Sequence, residues 1–289
     1  MASLKEIKSR IASVRSTLQI TSAMKMVAAA KLHHAQQLIA GMTPYENHLH
    51  AILNHLMAMG GEASLPSSNS HRVAIVAFSS SSSLCGGFNA NIIRHLTNLL
   101  ETLRGEGLSD ADIDLYTIGR KVTEAVRRQG LTVAEDLSTL SDHPSYEGIA
   151  ALGETLMEAY REGRVGRVLL VYNHYASTAS QPSMTETFLP FAVSASASAS
   201  SKEDFAESVI LEPSRDELLH TLLPRTLKLR LYTVLLDANA AEHAARTVAM
   251  QIASDNGEKL LDELTLEYNK SRQQKITAEI LDIMGGMRE

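Results

Sequence analysis

Residues Ser3–Leu18 read SLKEIKSRIASVRSTL, and the reading of this stretch decides the fold. Ser3 and Glu6 have capping-box spacing: the serine hydroxyl can accept from the third helical amide while the glutamate reaches back to the Ser3 amide. A helix is therefore predicted to start here. Leu4, Ile7, Ile11, Val14 and Leu18 then recur at alternating steps of three and four, the seam of a coiled coil and not the broader face of a globular helix. The next two seam positions, Thr21 and Lys25, are polar, and Ala28, Leu32, Ala35 and Ile39 resume the stripe.

Neither glycine nor proline occurs from Met1 to Ala40. Forty helical residues would span about 60 Å, several times the ordinary helix, so this one is expected to project beyond any compact domain. Its middle, Ile20–Gln36, reads ITSAMKMVAAAKLHHAQ, rich in methionine and alanine. The other end of the chain matches it. From Arg225 to Met284 there is no proline and one glycine, Gly257, which permits a helix of up to about 90 Å. Its apolar positions Ala241, Ala245, Val248 and Ile252, then Leu260, Leu264 and Tyr268, then Ile276, Ile280 and Ile283, form a stripe broken at DNGEK (Asp255–Lys259) and NKSRQQK (Asn269–Lys275). Gly285-Gly286 supplies the expected stop.

Neither helix carries enough apolar surface to stand alone in water, and each seam needs a partner. The economical arrangement pairs them antiparallel; a helix pair inside an ordinary all-α domain fits the lengths poorly.

Between them the periodicity changes. Strands are predicted at His71–Phe78, Asp112–Ile118, Arg167–His174, Thr185–Phe191 and Ser208–Leu211, and helices at Asn89–Arg104, Lys121–Gln129 and Tyr146–Glu162. Alternation of this kind favours a parallel or mixed sheet. Met57–Ser70 reads as a linker, and SASASASS at Ser194–Ser201 as a mobile surface loop. The fold class that follows is α/β with long helices: an antiparallel coiled coil of the N- and C-terminal helices with an inserted Rossmann-like α/β domain. The helical parts are 1–59, with a kink near Pro44, and 214–289, and the insert is 71–211.

The 289 residues carry a net charge of -6, which argues against general nucleic-acid binding, although residues 1–40 alone carry about +5. A lone cysteine, Cys85, cannot form an intramolecular disulfide, and no stretch reaches the roughly 18 to 20 apolar residues of a membrane span. Membrane association is expected only through partners.

Ser79–Asn89, SSSSSLCGGFN, is the one strand-loop-helix junction suited to a phosphate or a nucleophile. It lacks the Gly-Lys-Ser/Thr of a P-loop and the three spaced glycines of a dinucleotide loop. Cys85 has no evident His or Asp partner, so it reads as a small buried residue in a glycine turn. His33, His34, His48, His50 and His55 include no pair at the spacing that sets two imidazoles over one metal. No catalytic, cofactor or metal site is expected. Asp255 and Arg272 fall where the apolar stripe fails, which suits either a solvated face or contact with another protein.

Four segments carry a resemblance: Ile7–Gln36 (IKSRIASVRSTLQITSAMKMVAAAKLHHAQ), Leu84–Ile92 (LCGGFNANI), Glu242–Leu261 (EHAARTVAMQIASDNGEKLL) and Leu266–Gly286 (LEYNKSRQQKITAEILDIMGG). Together, in order and over the whole chain, they resemble the gamma subunits of F-type, proton-translocating ATP synthases. Two departures are visible: Ser81-Ser82-Ser83 stands where that family has Asp-Arg-Gly, and Ala241 replaces a serine. The resemblance implies a central-stalk rotor without an active site, turning inside three alpha and three beta subunits and contacting an epsilon subunit and the membrane c-ring. It would sit at the cytoplasmic face of the bacterial inner membrane. The same resemblance marks Met24, Lys25, Met26, Arg272, Gln273 and Thr277 as contacts with the alpha/beta ring, whose beta subunits are acidic where they meet the shaft, and Asp255, at the break in the apolar stripe, is counted with them. The competing classes are an enzyme built on the α/β insert with helices for dimerisation, and a coiled-coil adaptor unrelated to rotation.

Overall fold

The computed structural model describes residues 3–58, 70–191, 211–212 and 214–286. Two compact units are present: Met1–Ala30 with Arg246–Glu289, and Lys31–Ala245. Two helices, α1 (Leu4–Ala58) and α6 (Arg215–Gly286), contribute to both. Between them lie β1 (Val73–Phe78), α2 (Phe88–Gly105), β2 (Ile113–Ile118), α3 (Arg120–Arg128), β3 (Val133–Asp136), α4 (Thr139–Asp142), α5 (Tyr146–Arg161), β4 (Arg167–Asn173) and β5 (Ser183–Leu189).

In the larger unit the strand order is β3-β2-β1-β4-β5, with β5 antiparallel to β4 and the other pairings parallel. All six residues of β1 are buried, so its apolar run VAIVAF serves two faces at once. Val73, Ile75 and Ala77 pack with Ile92, Leu96 and Leu100 of α2 and Val122 and Val126 of α3. On the other face Ala74, Val76 and Phe78 pack with Ile149, Leu152 and Leu156 of α5 and Leu227, Leu231 and Leu235 of α6. The sheet therefore uses α6 as one of its covering helices.

The predicted elements fall within about two residues of those found, with instructive differences. β3 was not expected: its sequence VAED is short and acidic, and it pairs only as an edge strand. α6 starts at Arg215 and passes through Pro224, ahead of the proline-free run that begins at Arg225. A mid-helix proline costs about 3 kcal/mol, but Leu219 and Leu223, buried ahead of it, each return about 1.5–3 kcal/mol. α1 likewise continues through Gly41 and Pro44. The helix runs on into Gly285 and Gly286. The Ser194–Ser201 loop, most of the linker and nearly all of the strand expected at Ser208–Leu211 lie outside the described residues.

Within the larger unit α1 and α6 run antiparallel. Leu32 and Ala35 pack with Ala240 and Ala244, and further along Leu53 and Leu56 pack with Leu219. Between these levels Arg230 lays its guanidinium fork on Glu186 of β5 (2.8 and 2.7 Å) and reaches Glu46 of α1 (3.1 Å), while the Tyr172 hydroxyl donates to Glu186 (2.9 Å). Burial pushes the Glu186 carboxyl up, but its bonds from Arg230 and Tyr172 outweigh this and hold it below its ordinary value.

In the smaller unit, the α1 seam residues Leu4, Ile11, Val14 and Leu18 are half-buried and Ile7 and Ala28 are buried, as the spacing predicts. The α6 seam differs from the predicted stripe. Met250, Ser254, Gly257, Leu261, Leu264, Tyr268 and Ser271, at steps of three and four, are all shielded, with Ala253 half-buried beside them. Ile252 and Leu260, expected in the stripe, are 54% and 44% exposed. The supposed break at DNGEK is a continuous seam whose occupants are small: a Cβ on Gly257 would stand 2.7 Å from Leu18 Cδ2.

Two measurements follow from this packing. Gly→Ala in a helix ordinarily stabilises by about 1 kcal/mol, but here the added methyl meets Leu18 at an overpacking cost of about 1–3 kcal/mol. Gly257→Ala should therefore leave the thermal midpoint unchanged or lower it, and Leu18→Ala in the same chain should relieve the clash; a midpoint raised by several degrees would show that Leu18 turns aside freely. Because the Glu186 carboxyl is lowered in the fold, its contribution is complete above the unfolded value and is lost as pH falls through the folded one. Glu186→Gln should cost about 1.5–3 kcal/mol at neutral pH and flatten the acid limb of a stability-versus-pH curve below about pH 4.5.

Candidate interaction surface

Helix α1 opens with the expected cap: the Ser3 amide donates to Glu6 Oε2 (2.9 Å) and the Glu6 amide to Ser3 Oγ (3.3 Å). Beyond Leu18 the seam with α6 turns polar. Leu18 meets Gly257, the Thr21 and Ser254 hydroxyls lie 2.9 Å apart, and Lys25 Nζ donates to Gln251 Oε1 at 2.7 Å. Gln251 Nε2 in turn donates to Asp255 Oδ1 at 2.6 Å. Lys25 and Asp255, picked out separately in the sequence, are thus brought together through an amide that the sequence did not single out.

The outer side of this segment is apolar. Ile20 and Ala23 are exposed, Met26 and Val27 are 62% and 57% exposed, and Met24 is half-buried. Ala28 is 2% exposed and belongs to the seam, whereas Ala29 and Ala30 face outward. The three alanines therefore divide between packing and surface.

Arg272, Gln273 and Thr277 are all exposed on α6, about 25 Å beyond Asp255 at 1.5 Å per residue, so they form a second cluster. The Thr277 hydroxyl donates to the Gln273 carbonyl at 2.9 Å, an ordinary turn of helix. Counting from the Leu18–Gly257 level, Leu4 at the start of α1 falls opposite Ser271, the last half-buried residue of α6. Beyond it α6 has no α1 alongside, and Ile276, Ile280, Leu281, Ile283 and Met284 are exposed. The residues of this surface and its seam that the sequence reading did not single out are Gln251, Ser254, Ile20 and Val27. The available signal was apolar residues placed one step off a polar seam.

The Ser79–Asn89 junction uses its polar atoms internally. Ser79 Oγ accepts from the Val122 amide (2.9 Å) and donates to the Gly119 carbonyl (3.1 Å), and Ser141 Oγ donates to the Ser79 carbonyl (2.9 Å). Asn89 Nδ2 donates to Ser80 Oγ (2.7 Å) and to Cys85 Sγ (3.1 Å). Cys85 is buried with Phe88 against Ala241 of α6, so the carboxyl end of β1 is roofed by a helix. Of the serines replacing the charged triplet, Ser81 is buried and donates to the Ser138 carbonyl (3.1 Å), while Ser82 and Ser83 are exposed. Gly119, at φ +98°, allows this close packing: a Cβ there would lie 2.0 Å from the Ser79 carbonyl oxygen. Among the described residues no group of three or more His, Cys, Asp or Glu could hold a metal ion, and no helix is long and apolar enough to cross a membrane.

Comparison with known proteins gives a consistent result. The family model described as ATP synthase matches residues 3–288. The ATP synthase gamma chain of Phocaeicola vulgatus is 50% identical over 99% of both chains, and that of Bacteroides thetaiotaomicron 46% identical over 99% of both. That of Flavobacterium johnsoniae is 40% identical over 99% of this chain and 98% of its own. Among solved structures, a chain of the Euglena gracilis mitochondrial ATP synthase (OSCP/F1/c-ring, rotational state 3) superposes with a TM-score of 0.67 at 19% identity, covering 99% of this chain and 93% of its own. A chain from the rotor of the same organism's enzyme (rotational state 1) gives 0.65 at 18% identity, covering 94% and 98%. The long helices, the five-stranded sheet between them and the near full-length identity lead to one assignment: the chain belongs to the ATP synthase family, among its gamma chains.

Proposed function

We propose that this chain is the rotor of the central stalk, turning within a ring of three alpha and three beta subunits and coupling proton flow through the membrane sector to ATP synthesis or hydrolysis on the beta subunits. The observation that carries this reading is the apolar surface left without a partner: Ile20, Met26 and Val27 outside α1, and Ile276, Ile280, Ile283 and Met284 on the part of α6 that outruns α1. Exposed apolar residues in such groups mark interaction sites, and a rotor inside a ring would cover them. The gamma-chain relatives and the fold shared with rotor structures support the same reading.

A shaft among near-identical subunits controls them through the difference between its faces. At one angle a given beta subunit meets the methionine and valine side of α1, while another meets the carboxylates and amides of α6. Each face favours the conformation it fits better, by the difference in contact free energy. Met24 and Met26, with flexible side chains, tolerate successive partners. Arg272, Gln273 and Thr277 form the second contact, Arg272 presenting a planar fork to a carboxylate. Lys25 and Asp255 belong to the first cluster. The chain itself performs no covalent step; its sheet lies toward an epsilon subunit and the c-ring, and the complex sits at the cytoplasmic face of the membrane.

Reconstitution tests this directly. Co-expressed with alpha and beta subunits, one copy of the chain should appear per six partners. In vesicles carrying the full complex, Arg272→Ala and Met26→Asp should each lower proton pumping per ATP hydrolysed by more than half, while the thermal midpoint of the isolated chain moves little, as expected for exposed positions. Unchanged coupling in both variants would remove these residues from the contact.

A further inference from the structure

Between Ile20 and Val27 the usual arrangement of a helix pair is inverted. The half-buried positions are Thr21, Met24 and Lys25, while Ile20, Met26 and Val27 stand outside, as does Ile252 on α6. Residues one position apart on a helix differ by about 100° in direction. A roll of α1 by one position would therefore exchange Thr21, Lys25 and Ala28 for Ile20, Met24 and Val27 and bury more apolar surface, which water favours. Something must hold the segment in the less apolar arrangement. We propose that the bonds linking Thr21 to Ser254 and Lys25 through Gln251 to Asp255 form a latch that keeps this segment inside out.

Each bond of the latch has a fixed direction. Thr21 Oγ1 donates its one proton to the Leu18 carbonyl at 3.1 Å, so at the 2.9 Å contact it accepts and Ser254 donates. The Lys25 ammonium can only donate, so Gln251 presents its carbonyl to α1. Its NH2 is thereby left for the Asp255 carboxylate, which can only accept. The amide cannot flip without opposing both charges at once. An apolar seam resists rolling weakly because its contacts have no preferred direction, whereas these bonds exist at one rotation of α1. Polar residues at seam positions fix the pairing of coiled coils at a cost in stability, and here they fix which side of α1 is outside. Under the rotor reading, on which only its purpose rests, the latch gives Gln251 and Ser254 a positioning role, adds one to the contacts of Lys25 and Asp255, and turns Met26 and Val27 toward the ring.

The latch is tested on the full-length chain by itself, so the result does not depend on any ring. In a Cys85→Ala background, Val27→Cys and Ala28→Cys serve as separate reporters of maleimide labelling. With the latch intact, the thiol at 27 should label as an exposed one and the thiol at 28 should be protected. Gln251→Ala combined with Ser254→Ala removes the α6 half of the latch; labelling at 27 should then slow and labelling at 28 should quicken, each by about tenfold. This reciprocal change is the signature of rolling. Faster labelling at both positions would mean that the pair had only loosened, and no change at either would mean that the bonds hold nothing; both results overturn the proposal. Exchanging the partners, Lys25→Gln with Gln251→Lys, keeps a cross-helix bond and should restore the native pattern, even where the alanine variant loses its helical signal. A failed coupling test with an intact reciprocal signature would overturn the rotor contact and leave the latch standing.

Discussion

Most of this structure depends on a pairing between the first and the last helix of the chain. Helix α1 has a seam too narrow to be stable alone and too long to be covered by a compact neighbour, and α6 supplies a matching seam. In the smaller unit the match is made level by level, Leu18 on Gly257, Thr21 on Ser254 and Lys25 on Gln251. In the larger unit it is made by Leu32 and Ala35 on Ala240 and Ala244. Small side chains recur at these levels because two helices can approach closely only where at least one of them is small.

The sheet answers the same constraint from the other side. Its two faces need cover, and α6 supplies part of one, so Leu227, Leu231 and Leu235 belong to the core of the insert although they lie on a helix of the pair. The apolar contacts supply area; Arg230 adds direction, tying β5 and α1 to α6 through Glu186 and Glu46. Cys85 and Phe88 press on Ala241 at the carboxyl end of β1, the place where open α/β sheets commonly bind ligands. In this chain that place is occupied by its own helix.

The sequence made legible whatever is carried by hydropathy and spacing. The α1 seam, the Ser3–Glu6 cap, the buried run of β1 and the order of strands and helices all follow from periods of 3.5, 3.6 and 2. Less legible was the seam of α6, because Ser254 and Gly257 carry no apolar signal and the eye passes to Leu260 and Ile252, which face water. A glycine counts as a defect in a helix until its neighbour is known. β3 escaped for a related reason: an edge strand needs one good pairing and little hydrophobicity. Pro224 is held inside α6 by burial of Leu219 and Leu223, which lies in tertiary packing and not in local propensity.

The candidate contact residues show the same division between what patterning states and what it leaves open. Met24, Lys25 and Met26 are consecutive, yet they point in three directions: Lys25 into the seam, Met26 outward and Met24 between. A motif of three residues on a helix therefore cannot be one contact. Its members divide between holding α1 to α6 and presenting a surface, and the cross-helix bonds decide which does which. The apolar residues outside and the polar residues inside are two expressions of one requirement. A shaft that must show methionine and valine to its surroundings needs directional bonds within, since apolar packing alone would draw those side chains into the seam.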